Sequence, residues 1–225
     1  MTVDSEMFAT SAIVSVSAGD WHPGHPLFDR LQASGETFED KPCLKLQVWD
    51  AGNALGQSPA VVWKTALPSL LNGEGMFENS NLREFATPLP NMTDAHNMFK
   101  GCRMLLAWNG DMPSLMRAES MFEGCSSMTS FTGILPSLRD GTAMFREAAL
   151  TSFDSELPML ETAEHMFQGC DLDLASVNRI ADTIRDASGD SERPLITIGT
   201  NVDMTEPLKV FAAKGWLVTI DHPVA

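Results

Sequence analysis

The dipeptide Met-Phe recurs through the middle of this chain at a near-constant interval, and that periodicity limits the possible folds more than any other feature. It occurs at Met76-Phe77, Met98-Phe99, Met121-Phe122, Met144-Phe145 and Met166-Phe167, so successive Met positions differ by 22, 23, 23 and 22. Nine residues before each Met stands an apolar-Pro pair: Leu67-Pro68, Leu89-Pro90, Met112-Pro113, Leu135-Pro136 and Leu157-Pro158. Three residues after each Phe stands a small residue: Ser80, Cys102, Cys125, Ala148 and Cys170. An apolar position follows (Leu82, Leu105, Met128, Leu150, Leu172), and in the first four units an aromatic lies three residues further on: Phe85, Trp108, Phe131 and Phe153. A unit this short cannot bury its own apolar face. Stacked units share one continuous core, so the repeat predicts a tandem array over 67–174. The composition agrees, because 14 Met and 12 Phe without any Tyr is what a few recurring positions produce. The Met-Phe column therefore reads as a core ladder and not as an adaptable Met-rich binding surface.

One unit can be read locally. The stretch Met128 to Thr132 is short and β-prone, which predicts a strand. The stretch Arg117 to Phe122 has helical spacing and few β-branched residues, which predicts a single helical turn. Glu123-Gly124-Cys125 turns the chain, with Gly supplying freedom in φ. Leu135-Pro136 closes the strand side, since Pro cannot donate to a ladder. Parallel neighbours sit about 4.8 Å apart, so five coils would span on the order of 24 Å.

The pattern Leu-Pro-x-Leu followed by Ala-x-x-Met-Phe-x-Gly-Cys-x-x-Met-x-x-Phe resembles the BspA-type leucine-rich repeat in its Met-Phe variant, and Leu115 to Phe131 is the closest unit. The resemblance covers about half the chain. It implies an α/β fold, a leucine-rich-repeat solenoid with short parallel strands. It also implies a surface, adhesion or phage-associated protein that binds other macromolecules. Ser80 and Ala148 depart from the family's Cys, and Gly73 and Gly141 from its usual Ala.

The flanks differ from the array. Residues 1–66 are expected to form an irregular N-terminal cap. Met7 to Val16 matches Met76 to Phe85 in its key positions and reads as a degenerate coil. Thr37-Phe38 with Cys43 to Trp49 reads as another, ending in an alternating strand. Gly19 to Glu36 and Ala51 to Pro59 read as loops. Residues 175–225 are expected to form a C-terminal cap of helix, strand, helix and strand, which resembles the caps that follow such arrays in phage and gut-bacterial proteins. Leu174, Val177, Ile180, Ala181 and Ile184 recur at helical spacing, predicting a helix over Asp173 to Asp186. Ser188 to Ser191 reads as a loop, and Leu195 to Ile198 as a strand. Thr205 is the expected N-cap of a helix through Ala213 with Pro207 near its first turn. Gly215 is expected to stop that helix, and Trp216 to Ile220 to form the final strand.

Charge and chemistry narrow the function. The net charge of −15 repels phosphate backbones, so neither nucleic acid nor an anionic membrane is an expected partner. No run of 18 apolar residues occurs, so no membrane insertion is expected. Met1 to Asp20 starts acidic and lacks a basic n-region with a long apolar stretch, so no secretory signal is expected. The resemblance points to a cell surface or a virion, while the missing signal leaves the cytoplasm open. Cys43, Cys102, Cys125 and Cys170 form no CxxC pair. Cys102 and Cys125 share one position in adjacent coils, about 5 Å apart and within disulfide range, but Ser and Ala at the same position favour buried free thiols.

His22 and His25 form an HxxH on a Pro-Gly loop, with Asp29 and Cys43 as candidate companions. Two rings on a loop fall short of the three or four converging ligands a metal needs, so a polar surface loop is expected and no cofactor or metal. No G-x-S-x-G, phosphate-binding Gly loop or H-E-x-x-H occurs, and His96 and His165 read as coil-surface residues. The leading expectation is a non-catalytic recognition scaffold whose partner is another protein or a cell-surface macromolecule. Its contact residues would be the outward strand positions Arg83, Glu84, Asn109, Thr129, Thr132, Thr151 and Asp154. An alternative is an intracellular, phage-encoded acidic regulator or inhibitor that binds a basic protein surface. A remote alternative is a metal-dependent hydrolase centred on His22 and His25.

Overall fold

The computed structural model describes residues 62–63, 70–85 and 88–223. The expected features of residues 1–61, including both degenerate coils and the His22/His25 loop, lie outside these. The described chain is a mixed α/β structure with short parallel strands. In chain order these are β1 (Val62–Trp63), β2 (Glu84–Phe85), β3 (Ala107–Trp108), β4 (Ser130–Phe131), β5 (Ser152–Phe153), β6 (Ala163–Phe167), α1 (Leu174–Thr183), β7 (Leu195–Gly199), α2 (Thr205–Ala213) and β8 (Leu217–Asp221). Three sheets form, ordered β1-β2, β3-β4-β5 and β6-β7-β8, and every pairing is parallel. None of them closes into a barrel.

The repeat units bond to one another residue by residue. Phe131 pairs with Trp108 on one side and Phe153 on the other, so the aromatics fall in register. A second line of parallel bridges runs Asn72, Asp94, Arg117, Asp140, Thr162. The strand predicted at Met128 to Thr132 shrinks to Ser130–Phe131. β1 is an addition to the sequence expectations. Its signal was the aromatic spacing, since Trp63 pairs with Phe85 one repeat length downstream.

The predicted helical turn at Arg117 to Phe122 is absent, and the reason is the direction of its N–H groups. Ala118, Ser120, Phe122 and Gly124 donate to Asp140, Thr142, Met144 and Arg146 of the next unit at 2.8–2.9 Å. The intervening Met121, Glu123 and Cys125 donate back three residues, to Ala118, Ser120 and Phe122. An α-helix would instead send every N–H four residues back within its own unit. Two left-handed residues per unit produce the alternation: Ser120 at φ 54° and Gly124 at φ 71° here, with the matching pair Asn97 and Gly101 in the unit before. Helical side-chain spacing concealed a structure whose backbone bonds run between units.

Side chains then fill the interior in columns. Phe77, Phe99, Phe122, Phe145 and Phe167 stack with ring centroids 5.4–5.5 Å apart and ring planes within 7° of parallel. Phe85, Trp108, Phe131 and Phe153 form a second column that meets the first at steep angles, as between Phe131 and Phe145. All nine rings are buried. Each contributes about 1.5–3 kcal/mol by leaving water. The five Met residues of the Met-Phe pairs are buried with them, as a core ladder requires.

After the array the pattern changes. Asp173 caps α1 by accepting from Ser176 N at 2.8 Å. Ser176, Val177, Ile180 and Ala181 are buried on its inner face. The helix stops at Thr183, short of the expected Asp186, because Ile184 turns extended with ψ 145°. Thr205 is the first helical residue of α2, not its cap. Asp203 Oδ1 accepts both its N–H and its hydroxyl, and the cap position is Met204. Gly215, at φ 82°, ends the turn after α2. Trp216 lies just outside β8, buried, with its indole N–H on Arg185 O at 2.8 Å. β6 is a further addition: the last Met-Phe segment pairs with the five-residue β7 instead of another repeat unit, with a register shift between Ala163 and Phe167 where His165 keeps the left-handed φ of 58°.

Candidate functional site

From β2 to β5 the strands carry an aromatic inward and smaller side chains outward, so the outward face is the candidate site. All seven residues singled out from the sequence are exposed. Five fall on one ladder. Thr151 N–H and its hydroxyl both reach Thr129 O, at 3.0 and 3.2 Å, and Thr129 N–H reaches Leu106 O at 3.0 Å. Thr132 N–H bonds Trp108 O and Asp154 N–H bonds Phe131 O. Asn109, Thr132 and Asp154 each follow their strand's aromatic and so occupy equivalent places in neighbouring units. Arg83 and Glu84 belong to the other ladder, because β2 pairs with β1 and β3 with β4.

Asp154 is already engaged. Arg179 of α1 bridges it to Glu156, with Nε on Asp154 Oδ1 and Nη2 on Glu156 Oε1, both at 3.3 Å. Sequence reasoning also missed residues of this face. Leu106 is 48% exposed, and Ala107 is exposed beside it. Ser130 and Ser152 occupy the place of Ala107 in the next two strands. Leu106 follows a buried Leu105 and reads as core, but it stands in the column of Thr129 and Thr151, which is the signal that finds it. The stretches Leu106 to Asn109 and Thr129 to Thr132 carry no ionisable side chain.

The remaining polar groups brace the fold. Arg117 meets Asp94 at 3.1 Å across adjacent units. Partial burial acts to raise the Asp140 carboxyl, but the Thr142 N–H and hydroxyl, the Thr162 hydroxyl and the charge of Arg117 outweigh it and hold the group below its usual range. Burial likewise works against ionised Glu123, and hydrogen bonds from Ser120 and Lys100 with the charges of Lys100 and Arg146 reverse it. An open cleft of about 760 Å³ lies beside the last unit, lined by Thr162, Glu164, Arg185, Glu192 and Arg193 among others. Both arginines there serve as clamps. Arg185 holds Asp190 and Leu160 O, and Arg193 holds Gly215 O and Trp216 O.

Cys102, Cys125 and Cys170 are free and buried. Each thiol donates to the carbonyl of a Phe in the unit before: Phe77, Phe99 and Phe145, at 3.0–3.2 Å. Burial pushes Cys102 up to about 11 and Cys170 up to about 12, and raises Cys125 well above the usual thiol range. His96 is half-buried. His165 is exposed at φ 58°, with its main-chain N–H on Thr197 Oγ1. Among the described residues no group of three His, Cys, Asp or Glu is placed to hold a metal ion, and no helix is long and apolar enough to cross a membrane. His22 and His25 lie outside the described residues. No family model, curated protein or solved structure matches the chain.

Proposed function

We propose that this chain is a non-catalytic recognition scaffold, a leucine-rich-repeat solenoid of the BspA type that binds another protein or a cell-surface macromolecule through its outward strand face. The observation that carries this reading is the contrast between the two sides of the strands. Inward positions repeat an aromatic in each strand from β2 to β5, while outward positions change: Arg83, Leu106, Thr129 and Thr151 are equivalent places. Invariant positions serve the core and variable ones serve a partner. Leu106, the large apolar side chain at the β3 end of this ladder, is the anchor such an interface needs. In this reading residues 1–66 and 175–225 cap the array, and the setting is a bacterial surface or a virion.

The test is affinity capture from the native host with the whole chain as bait, repeated with Leu106→Glu and with Thr129→Arg. Capture of a partner that both changes abolish supports the reading. A partner retained by both variants, or no partner from cells, matrix proteins or phage particles, overturns it.

The net charge of −15 favours a second reading, an acidic regulator or inhibitor docked on a basic protein. Its affinity falls steeply with added salt, and an affinity indifferent to salt rejects it.

A further inference from the structure

The chain holds two Asn-Gly pairs, Asn72-Gly73 and Asn109-Gly110. In such a pair the asparagine amide and the next main-chain nitrogen can close a five-membered ring, because glycine has no Cβ to obstruct the approach. The structure treats the two pairs differently. Gly73 is buried, and its N–H donates to Asp94 O of the next unit at 2.9 Å. Asn72 Oδ1 accepts Glu74 N–H at 2.9 Å, and Asn72 itself forms the bridge to Asp94. Both reacting groups of this pair are therefore engaged elsewhere. Asn109 is exposed just beyond β3, and its side-chain amide makes no hydrogen bond among the described residues. The Gly110 carbonyl is fixed by Trp108 Nε1–H at 2.8 Å, but the Gly110 N–H meets no acceptor among the described residues. The equivalent N–H groups of Gly133 and Ser155, which lie deeper in the described array, meet none either, so this freedom belongs to the position.

We propose that Asn109 is a site of spontaneous modification, converted with time to aspartate and isoaspartate, and that Asn72 is spared. Base removes the Gly110 N–H proton, and the nitrogen attacks Asn109 Cγ. A new C–N bond forms there, the side-chain amide C–N bond breaks, and the amide nitrogen takes up a proton and leaves as ammonia. Water then opens the resulting cyclic imide at either carbonyl. Cleavage between Cγ and the ring nitrogen restores the ordinary main chain with an aspartate. Cleavage at the α-carbonyl leaves the chain running through the side-chain carbon, as isoaspartate. Nothing is oxidised or reduced, and water and base are the co-reactants. At Gly73 the same attack would first have to break a bond to the next unit. Each product adds one carboxylate to the stretch Leu106 to Asn109, which carries no ionisable side chain. The new charge faces Thr132 across a strand spacing of about 4.8 Å and shares its strand with Leu106. Resting on the recognition reading, a partner that buries Leu106 and Thr132 must desolvate that charge, so binding weakens as the protein ages.

The test is peptide mapping by mass spectrometry of the full chain, incubated at neutral and mildly alkaline pH, both native and in urea. In the native chain the Asn109 peptide is expected to gain the mass of an amide exchanged for an acid and to split into two isomers, faster at the higher pH. The Asn72 peptide is expected to stay unchanged until urea unfolds the chain, when both pairs convert. Asn109→Gln, which must close a larger ring, is expected to stop the change with unaltered circular dichroism. A native Asn109 that stays intact while the unfolded chain converts overturns the proposal. So does native conversion of Asn72 as fast as that of Asn109, or an aspartate product without isoaspartate. Asn109→Asp fixes one product: weakened capture of a partner supports the consequence for binding, and undiminished capture rejects it. Conversion is read from mass alone, so failure of the recognition reading leaves the modification to be judged by itself.

Discussion

The repeat array and the segment after it solve the same problem with opposite means. In the array, ladders are two residues long, and much of the bonding between units comes from turn segments with alternating left-handed residues. After Cys170, two five-residue strands and two helices take over, and Ile and Val join Leu in the core where the array uses Leu, Met and Phe. The array gains order by repeating one contact. The C-terminal segment gains it by packing α1 and α2 together and α2 on β8, as an ordinary α/β unit does. A repeat must be commensurate with its neighbour at every position, whereas the C-terminal segment answers to the array on only one side.

Gly199 sits at that junction. A Cβ there would come within 2.3 Å of Phe167 O and 2.5 Å of Cys170 O, both main-chain atoms that cannot swing away. Gly199→Ala is expected to have the largest effect, separating the C-terminal segment from the array so that thermal unfolding shows two steps. A single unshifted transition in calorimetry would show that the two regions are not joined there. Next comes Phe122→Ala in the middle of the stacked column, with an expected loss of about 3–5 kcal/mol in urea unfolding, because it leaves a cavity with aromatic neighbours on both sides.

The capping residue of α1 is a smaller lever. Asp173→Ala leaves Ser176 N without its partner and is expected to cost about 1 kcal/mol, measured as a shift in the urea midpoint at constant slope. Two changes in one column of the array should then have opposite signs. Gly124 and Glu147 are equivalent positions, at φ 71° and φ 58°. Gly124→Ala is expected to cost, and Glu147→Gly to gain, up to about 1 kcal/mol each, since the left-handed conformation is unfavourable for any residue with a Cβ. Equal signs would mean that side-chain contacts and not backbone conformation govern the column. The smallest effect is acid sensitivity. Asp140 and Glu123 titrate below their unfolded values, so their contribution is complete above the ordinary carboxylate range, at about pH 4. It fades as pH falls through the lowered native values. Asp140→Asn should flatten this limb of the stability profile and leave stability near neutrality slightly reduced.

The core was the legible part. Met, Phe, Leu and Cys at fixed spacing identified each buried column, and the small residues at the Cys position correctly pointed to free thiols. The helices after the array were legible as well, because Val177, Ile180 and Ala181 keep a period that a local window can see. The turn segment was not. Ala118, Met121 and Phe122 have helical spacing whether their N–H groups bond within the unit or across to Asp140 and Met144, and burial alone does not distinguish the two. The Gly and Asn at 79, 101, 124 and 169 hinted at left-handed backbone, but Ser120, Ala143 and His165 gave no such hint. On the candidate face, exposure of all seven residues was predictable from alternation, while the clamp of Arg179 on Asp154 required knowing where α1 lands. Leu106 lies outside the seven although it stands in the column of Thr129 and Thr151, because it sits beside the buried Leu105.

The periodic sequence by itself determined which side chains are buried, the length of the repeat and the parallel register of its aromatics, because burial depends on spacing along the chain. Tertiary structure alone decided where the backbone hydrogen bonds go. Each N–H of the turn segment chooses between a carbonyl three residues back and one in the following unit, and only the presence of that unit settles the choice.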